Sequence, residues 1–182
     1  MTLKEQLINT FTLCVSNNCL EDICLPAFVV IDEQPCRLLT DDQSGFRIKN
    51  PRKHLLHFFK IDWCVLFERD GKKCDFAVFN ADELIFVELK KIEANTSYNH
   101  KKHNAKRKDA YDQLENTLEI FQSKNIDLSS YQKNQKLFVI ASVLKDDNAE
   151  MPTAKTNNQH KNIEFEIKYN AILLTGNTHK FT

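Results

Sequence analysis

Asp75, Glu88 and Lys90 are the residues of this chain whose types and spacing could do chemistry. They lie in the stretch from Lys73 to Lys91, KCDFAVFNADELIFVELKK. Two apolar runs, Phe76 to Phe79 and Leu84 to Leu89, flank the polar Asn80 to Glu83 and predict a strand, a turn and a second strand. Asp75 opens the first run; Glu88 and Lys90 close the second. Because strand side chains alternate, Glu88 and Lys90 share a face with Leu84 and Phe86, while Ile85, Val87 and Leu89 point the other way. Both faces of that strand are therefore mainly apolar, the pattern of a strand covered on both sides. A carboxylate and an ammonium are costly there unless they are paired, hydrogen-bonded or bound to a metal. Taken alone, Glu-x-Lys reads as a strand-end salt bridge and Asp75 as a turn residue. An Asp at a strand start, a hairpin, and Glu-x-Lys ending a second apolar strand together point to a site.

That combination resembles the PD-(D/E)xK nuclease superfamily. Cys74-Asp75 stands in the place of the family's Pro-Asp, and Glu88-Leu89-Lys90 in the place of its (D/E)xK. The change from Pro to Cys leaves the Asp, the residue that carries the chemistry in the family. The resemblance implies a restriction-endonuclease-like α/β fold in one domain spanning residues 1–182: a central mixed β-sheet, a meander then a crossover strand, flanked by helices. It implies Asp75, Glu88 and Lys90 as catalytic residues. It also implies Asp75, Glu88 and the backbone carbonyl of Leu89 as ligands for Mg²⁺, with Mn²⁺ as a substitute. Lys90 would orient or help deprotonate the attacking water, or hold the scissile phosphate. Family members often place a Gln on the helix after the (D/E)xK strand, and Gln113 fits that place. Many also carry an acid on the first helix, for which Glu5 and Glu21 are the candidates. The implied activity is metal-dependent phosphodiester hydrolysis of nucleic acid, DNA favoured over RNA. The alternative is a nuclease-fold module without catalysis, binding nucleic acid or protein within a larger complex. A homodimer or a protein partner fits either reading.

The elements that must position these residues follow from the rest of the pattern. Thr2-Leu3-Lys4-Glu5 is a capping box, and Leu3, Leu7, Phe11 and Cys14 recur at helical spacing, predicting a helix from Leu3 to Ser16. Pro26 to Ile31 reads as a strand, Glu33 to Pro51 as loops with one edge strand at most, and His54 to Phe59 as either helix or strand. Ile61 to Glu68 alternates and predicts a strand, with Arg69-Asp70-Gly71 as a hairpin turn into the next. Those three strands form the meander. Asp62 reads there either as a carboxylate supporting the site or as a strand-end polar residue. Glu93 to His103 is polar and predicts a loop over the site. From Asn104 a helical stripe runs through Ala110, Leu114, Leu118 and Phe121. Lys136 to Leu144 predicts a buried strand parallel to its predecessor across that helix. Lys145 to Lys161 reads as a linker, Ile163 to Lys168 and Ala171 to Leu174 as strands, and the last residues as a fraying end.

With 182 residues the chain suffices for one domain with a core. Its three glycines exclude the Gly-rich phosphate loops. Lys+Arg and Asp+Glu are 25 each, so net charge does not mark a nucleic-acid binder. The distribution is more telling. Arg47, Lys49, Arg52, Lys53 and Lys60 precede the site, and Lys101, Lys102, Lys106, Arg107 and Lys108 follow it. The second run is the candidate for nucleic-acid binding by counterion release; either run alone reads equally as a solvated loop. No signal-like apolar segment and no membrane-length apolar run is present, which predicts a cytoplasmic protein with no membrane partner. The six cysteines are then expected to be reduced thiols, Cys64 and Cys74 facing each other across a hairpin. A zinc module built on Cys19, Cys24 and Cys36 is a third reading, without the usual CxxC spacing.

Overall fold

The computed structural model describes residues 1–40, 44–91, 100–144 and 150–182. Two short helices open the chain, α1 (Leu3–Thr10) and α2 (Leu13–Ser16). Strands β1 (Leu20–Ile23), β2 (Ala27–Ile31), β3 (Arg37–Leu39), β4 (Phe46–Lys49), β5 (Leu56–Lys60), β6 (Phe76–Phe79) and β7 (Leu84–Lys91) follow. The long helix α3 (His100–Ser123) and the short α4 (Ser129–Lys133) lead into β8 (Leu137–Leu144). The chain ends through β9 (Ala154–Lys155), α5 (Gln159–Tyr169), β10 (Ile172–Thr175) and β11 (Thr178–Lys180).

The central sheet is mixed, in the order β1-β5-β6-β7-β8-β10-β9. Its first half is antiparallel, with β5, β6 and β7 forming a meander. After α3 the chain returns through β8, parallel to β7 over eight residue pairs from Leu84↔Leu137 to Lys91↔Leu144. A crossover helix is what a parallel pair requires. A second sheet, β11-β4-β2-β3, covers the opposite face.

Period-two alternation in the central strands feeds two cores. On one face Phe59, Ala77, Leu84, Phe86 and Val139 pack against Leu7 of α1 and Phe11 just after it, Leu114, Leu118 and Phe121 of α3, and Phe165 of α5. On the other, Phe58, Phe76, Val78, Ile85 and Val87 pack against Phe28, Val30, Phe46 and Ile48 of the second sheet. Phe121 is the hub of the first core, its ring 5.0 Å from Phe86, 5.8 Å from Phe11 and 6.4 Å from Phe59. Each fully buried Phe contributes about 1.5–3 kcal/mol. The Phe86–Phe121 contact fixes α3 over the face of β7 that also carries Glu88 and Lys90.

Several expectations are corrected. Ile61 to Glu68 is not a strand. The N–H groups of Ile61 and Asp62 both donate to the carbonyl of Asp75, and the chain folds back with Trp63 N–H bonded to Leu66 O at 2.9 Å. Cys64, Val65 and Leu66 are buried consecutively, so the alternation there served a tight turn. The first meander strand is β5 instead, and Arg69-Asp70-Gly71 ends a loop rather than joining two adjacent strands. The N-terminal helix keeps its capping box but breaks at Phe11, which is extended. The stretch Glu33 to Pro51 holds two strands of the second sheet. Ile163 to Lys168 is helical within α5: Phe165 and Tyr169, four apart, are buried, while Ile163 and Ile167 face solvent. The C-terminus does not fray, because β11 pairs with β4 and Phe181 is buried.

Cys19 and Cys64 form a disulfide across 45 residues, which overturns the expectation that all six are thiols and that Cys64 faces Cys74. The β1–β5 pairing, Leu20↔Phe59, brings the two together, a proximity that local spacing cannot show. The zinc reading fails with it: Cys19 is bonded, Cys24 is exposed and Cys36 is buried elsewhere, its thiol 3.7 Å from the Asp75 carbonyl.

Candidate active site

Asp75 sits at the entrance of β6, buried at 9 % exposure. Its N–H donates to Val87 O at 3.1 Å, although Phe76 is the register partner of Val87. Two successive residues thus answer one, as at a β-bulge, where the extra residue is re-aimed. The re-aimed carboxylate turns onto the end of β7, and its Oδ2 accepts the N–H of Leu89 at 2.6 Å. Glu88, 2 % exposed, pairs through Oε1 with Lys90 Nζ at 2.7 Å. Its other oxygen, Oε2, is buried and finds no hydrogen-bond partner.

Helix α3 completes the cluster. Lys90 Nζ meets Asp109 Oδ2 at 2.8 Å and donates to Gln113 Oε1. An ammonium has three donors, and Glu88, Asp109 and Gln113 take all of them. Gln113 is anchored in turn by its Nε2, which donates to Lys73 O at 3.0 Å. One turn on, the Thr117 hydroxyl accepts the Cys74 N–H and donates to the Gln113 carbonyl, both at 2.8 Å. Asp109, Gln113 and Thr117 are spaced i, i+4, i+8, so a single polar stripe of α3 grips the chain just before Asp75 and the head of Lys90. Lys72 closes the outer side, 2.9 Å from Asp109 and 3.2 Å from Asp112.

Burial pushes Asp75 up to about 7, against the lowering by the Leu89 N–H, and the charges of Asp32 and Asp62 add to the rise. Burial likewise holds Glu88 well above the usual carboxylate range; the neighbouring Asp75 charge adds to it and Lys90 opposes it. For Lys90, burial pulls downward, but Glu88 and Asp109 outweigh it and the ammonium is held above its ordinary value. For Asp109, burial is outweighed by Lys90 and Lys72, and the carboxyl is lowered. Burial thus raises both neighbouring carboxyls, and Lys90 offsets the rise only in part.

This donor set fits a hard divalent cation. The orphaned Glu88 oxygen and the Asp75 carboxylate are two oxygens in want of a positive partner, and Mg²⁺ binds through one or two carboxylates while keeping several waters. Among the described residues no group of three or more His, Cys, Asp or Glu is placed to hold a metal ion.

The structure therefore brings together Asp75, Glu88, Leu89, Lys90 and Gln113. It places Asp62 beside them on the turn, its Oδ1 3.3 Å from buried Lys73 Nζ, so Asp62 is a turn residue paired with Lys73 and not a strand-end residue. Glu5 and Glu21 have partners of their own: Glu5 caps α1 by accepting the Thr2 N–H at 2.8 Å, and Glu21 of edge strand β1 pairs with Lys60 of β5. Of the first basic run, Arg47 and Lys49 pair with Glu150 at 3.2 and 2.5 Å. Of the second, Arg107 and Lys108 are exposed, whereas Lys106 donates to Lys91 O. The side chains of Lys101 and Lys102 lie outside the described residues, as do residues 93–99 of the loop expected over 93–103, whose last four residues are instead the start of α3. Sequence reasoning missed Asp109, although its four-residue spacing from Gln113 was the available signal.

The 61–66 turn beside the site carries one further anomaly. Trp63, the single tryptophan, has φ +58° and remains 37 % exposed. A left-handed backbone costs a residue with a Cβ roughly 1–2 kcal/mol.

The fold and site define an α/β protein with a mixed sheet and a buried Asp–Glu–Lys cluster at the end of a central strand. Compared with protein-family models, with curated proteins and with solved structures, the chain matches none. No helix among the described residues is long and apolar enough to cross a membrane.

Proposed function

We propose that this chain is a divalent-metal-dependent nuclease of the PD-(D/E)xK type, hydrolysing phosphodiester bonds in DNA in preference to RNA. The carrying observation is the buried Asp75–Glu88 pair with its unpartnered Glu88 oxygen, set beside Lys90. The meander β5-β6-β7 followed by α3 and parallel β8 supports a restriction-endonuclease-like arrangement. The choice of DNA follows from the family resemblance.

Asp75, Glu88 and the Leu89 carbonyl are the groups that would hold Mg²⁺ or Mn²⁺. When bound, such an ion lowers the pKa of water and offsets charge on the phosphate. The chain's own residues do the positioning. The Leu89 N–H fixes one Asp75 oxygen and leaves the other to the ligand. Gln113 and Glu88 hold the Lys90 ammonium at the pair. Asp109 is the most solvent-accessible of the two carboxylates on Lys90, at 44 % side-chain exposure against 2 % for Glu88. It is the partner a phosphate oxygen displaces, forming a charge-assisted bond to Lys90 in its stead.

The test is cleavage of labelled duplex DNA, single-stranded DNA and RNA with Mg²⁺, Mn²⁺ or EDTA, beside Glu88→Gln and Lys90→Ala. Metal-dependent cleavage lost in both variants is expected; wild-type cleavage by Glu88→Gln would show the site is misassigned. A second reading, a nuclease-fold binding module without catalysis, is favoured by two observations. Both first-helix acid candidates are engaged elsewhere, and every Lys90 donor is already taken. Calorimetry with Mg²⁺ and Mn²⁺ separates the two readings, since the module need bind neither.

A further inference from the structure

We propose that Trp63 is a stacking platform for an unpaired nucleobase, so that the strand presented to the Asp75–Glu88 site is single-stranded. The inference rests on the nuclease reading and adds a substrate class to it.

Neither packing nor backbone preference accounts for a tryptophan at this position. Its side chain is 37 % exposed while its neighbours Cys64, Val65 and Leu66 are buried, so the core does not require it. Its φ of +58° suits Gly or Asn and is unfavourable for a bulky side chain. Local rules broken without a structural gain are a mark of functional positions.

The turn that presents Trp63 is held from four directions. Ile61 and Asp62 donate to the Asp75 carbonyl at 2.9 and 3.2 Å. Cys64 is bonded to Cys19, and the Cys64 carbonyl accepts Asn17 Nδ2 at 3.2 Å. Trp63 N–H closes the turn on Leu66. The indole is therefore carried on a rigid support, one of whose anchors, a residue away, is the backbone of Asp75. Phe67 meets it edge-on, ring centroids 6.5 Å apart and planes at 83°. Exposed Arg69 lies on the same loop.

A rigid, half-exposed indole one residue from a group bonded to Asp75 offers a flat π surface beside a site for a phosphodiester. Aromatic side chains bind single strands by stacking on base faces, tolerantly of sequence. In a duplex those faces are covered by neighbouring bases, so the platform selects unpaired or flipped nucleotides.

Because Trp63 is the only tryptophan, intrinsic fluorescence reports on it directly. The full chain is titrated in EDTA, which stops metal-dependent hydrolysis, with oligothymidylate, an abasic oligomer of equal length, and a blunt duplex. Saturable quenching by oligothymidylate, with little from the abasic oligomer or the duplex, is expected. By anisotropy of labelled oligothymidylate, Trp63→Ala should bind roughly 5- to 150-fold more weakly, the range that loss of one base stack implies, and Trp63→Phe should recover most of the affinity. Equal quenching by the abasic oligomer, or binding of oligothymidylate without quenching, overturns the platform. If binding leaves fluorescence unchanged and Trp63→Ala still cleaves with Mg²⁺ like wild type, stacking is wrong and the nuclease stands. If quenching is base-dependent and no metal supports cleavage, stacking stands and the hydrolytic reading falls.

Discussion

Strand β7 has a buried glutamate at each end, and the two are treated in opposite ways. Glu83, just before the strand and 5 % exposed, has its partner built into the fold: its Oε1 lies 2.5 Å from Nε2 of buried His179. The other ring nitrogen of His179 lies 3.0 Å from the Thr153 hydroxyl, and the ring packs against Phe138 and Phe181. That chain ties the C-terminal strand β11 to the start of β7. Glu88, near the end of the strand's apolar run and 2 % exposed, shares one oxygen with Lys90 and leaves the other without a partner. A buried polar group that is answered within the fold holds the fold together. One left unanswered beside a second carboxylate costs stability and, on the nuclease reading proposed above, is where the cation binds.

The strongest way to break this comparison is to neutralise each end in turn. Glu88→Gln should lower metal-dependent cleavage by on the order of 10²–10³-fold or more, as loss of a group that stabilises transition-state charge does. Its melting temperature should be at or above that of wild type, because a costly buried acid is gone. A Glu88→Gln protein that melts much lower while retaining cleavage would put Glu88 in the same class as Glu83. His179→Ala should do the reverse, costing about 2–3 kcal/mol in urea denaturation by leaving Glu83 buried and unanswered. Its residual folded fraction should cleave normally.

The pH dependence sharpens the comparison from the Asp75 side. Asp75 is raised to about 7, so the folded protein holds its proton where the unfolded chain has lost it. Stability should fall as pH rises from the ordinary Asp range toward 7, by up to about 1.4 kcal/mol per pH unit, and level off above. Mg²⁺ or Mn²⁺ should restore stability above pH 7 in wild type and not in Asp75→Asn; thermal melts with and without EDTA read this directly. The smallest effect is expected at Asp109. Asp109→Asn removes a half-exposed partner of Lys90 and should change stability by no more than about 1 kcal/mol. By freeing one ammonium donor for phosphate it should lower KM a few-fold with kcat nearly constant. A large drop in kcat instead would make Asp109 a required partner of Lys90 and not a displaceable one.

How much of this was legible in the sequence depends on chain separation. Asp75 and Leu89, 14 residues apart in a meander, follow from strand pattern and a short turn. The apolar stripe of α3 and the buried run of β8 follow from their periods. The same reasoning failed where two readings share a period. Ile61 to Glu68 alternates like a strand and folds as a turn, and Ile163 to Lys168 alternates and folds as a helix, because packing of Phe165 with Tyr169 decided it. Asp62 changed meaning with the first of these.

By itself the sequence determined β6, β7, β8 and the crossover helix α3, and with them the places of Asp75, Glu88, Lys90 and Gln113 on those elements, since each follows from side-chain alternation or helical spacing within a short length of chain. Only the tertiary structure decided which of the other polar groups meet them. The Cys19–Cys64 disulfide, the Gln113–Lys73 anchor and the His179–Glu83 pair join residues 45, 40 and 96 positions apart. Such contacts have no local signature, because they exist only once two hydrophobic cores have folded the strands and helices onto one another.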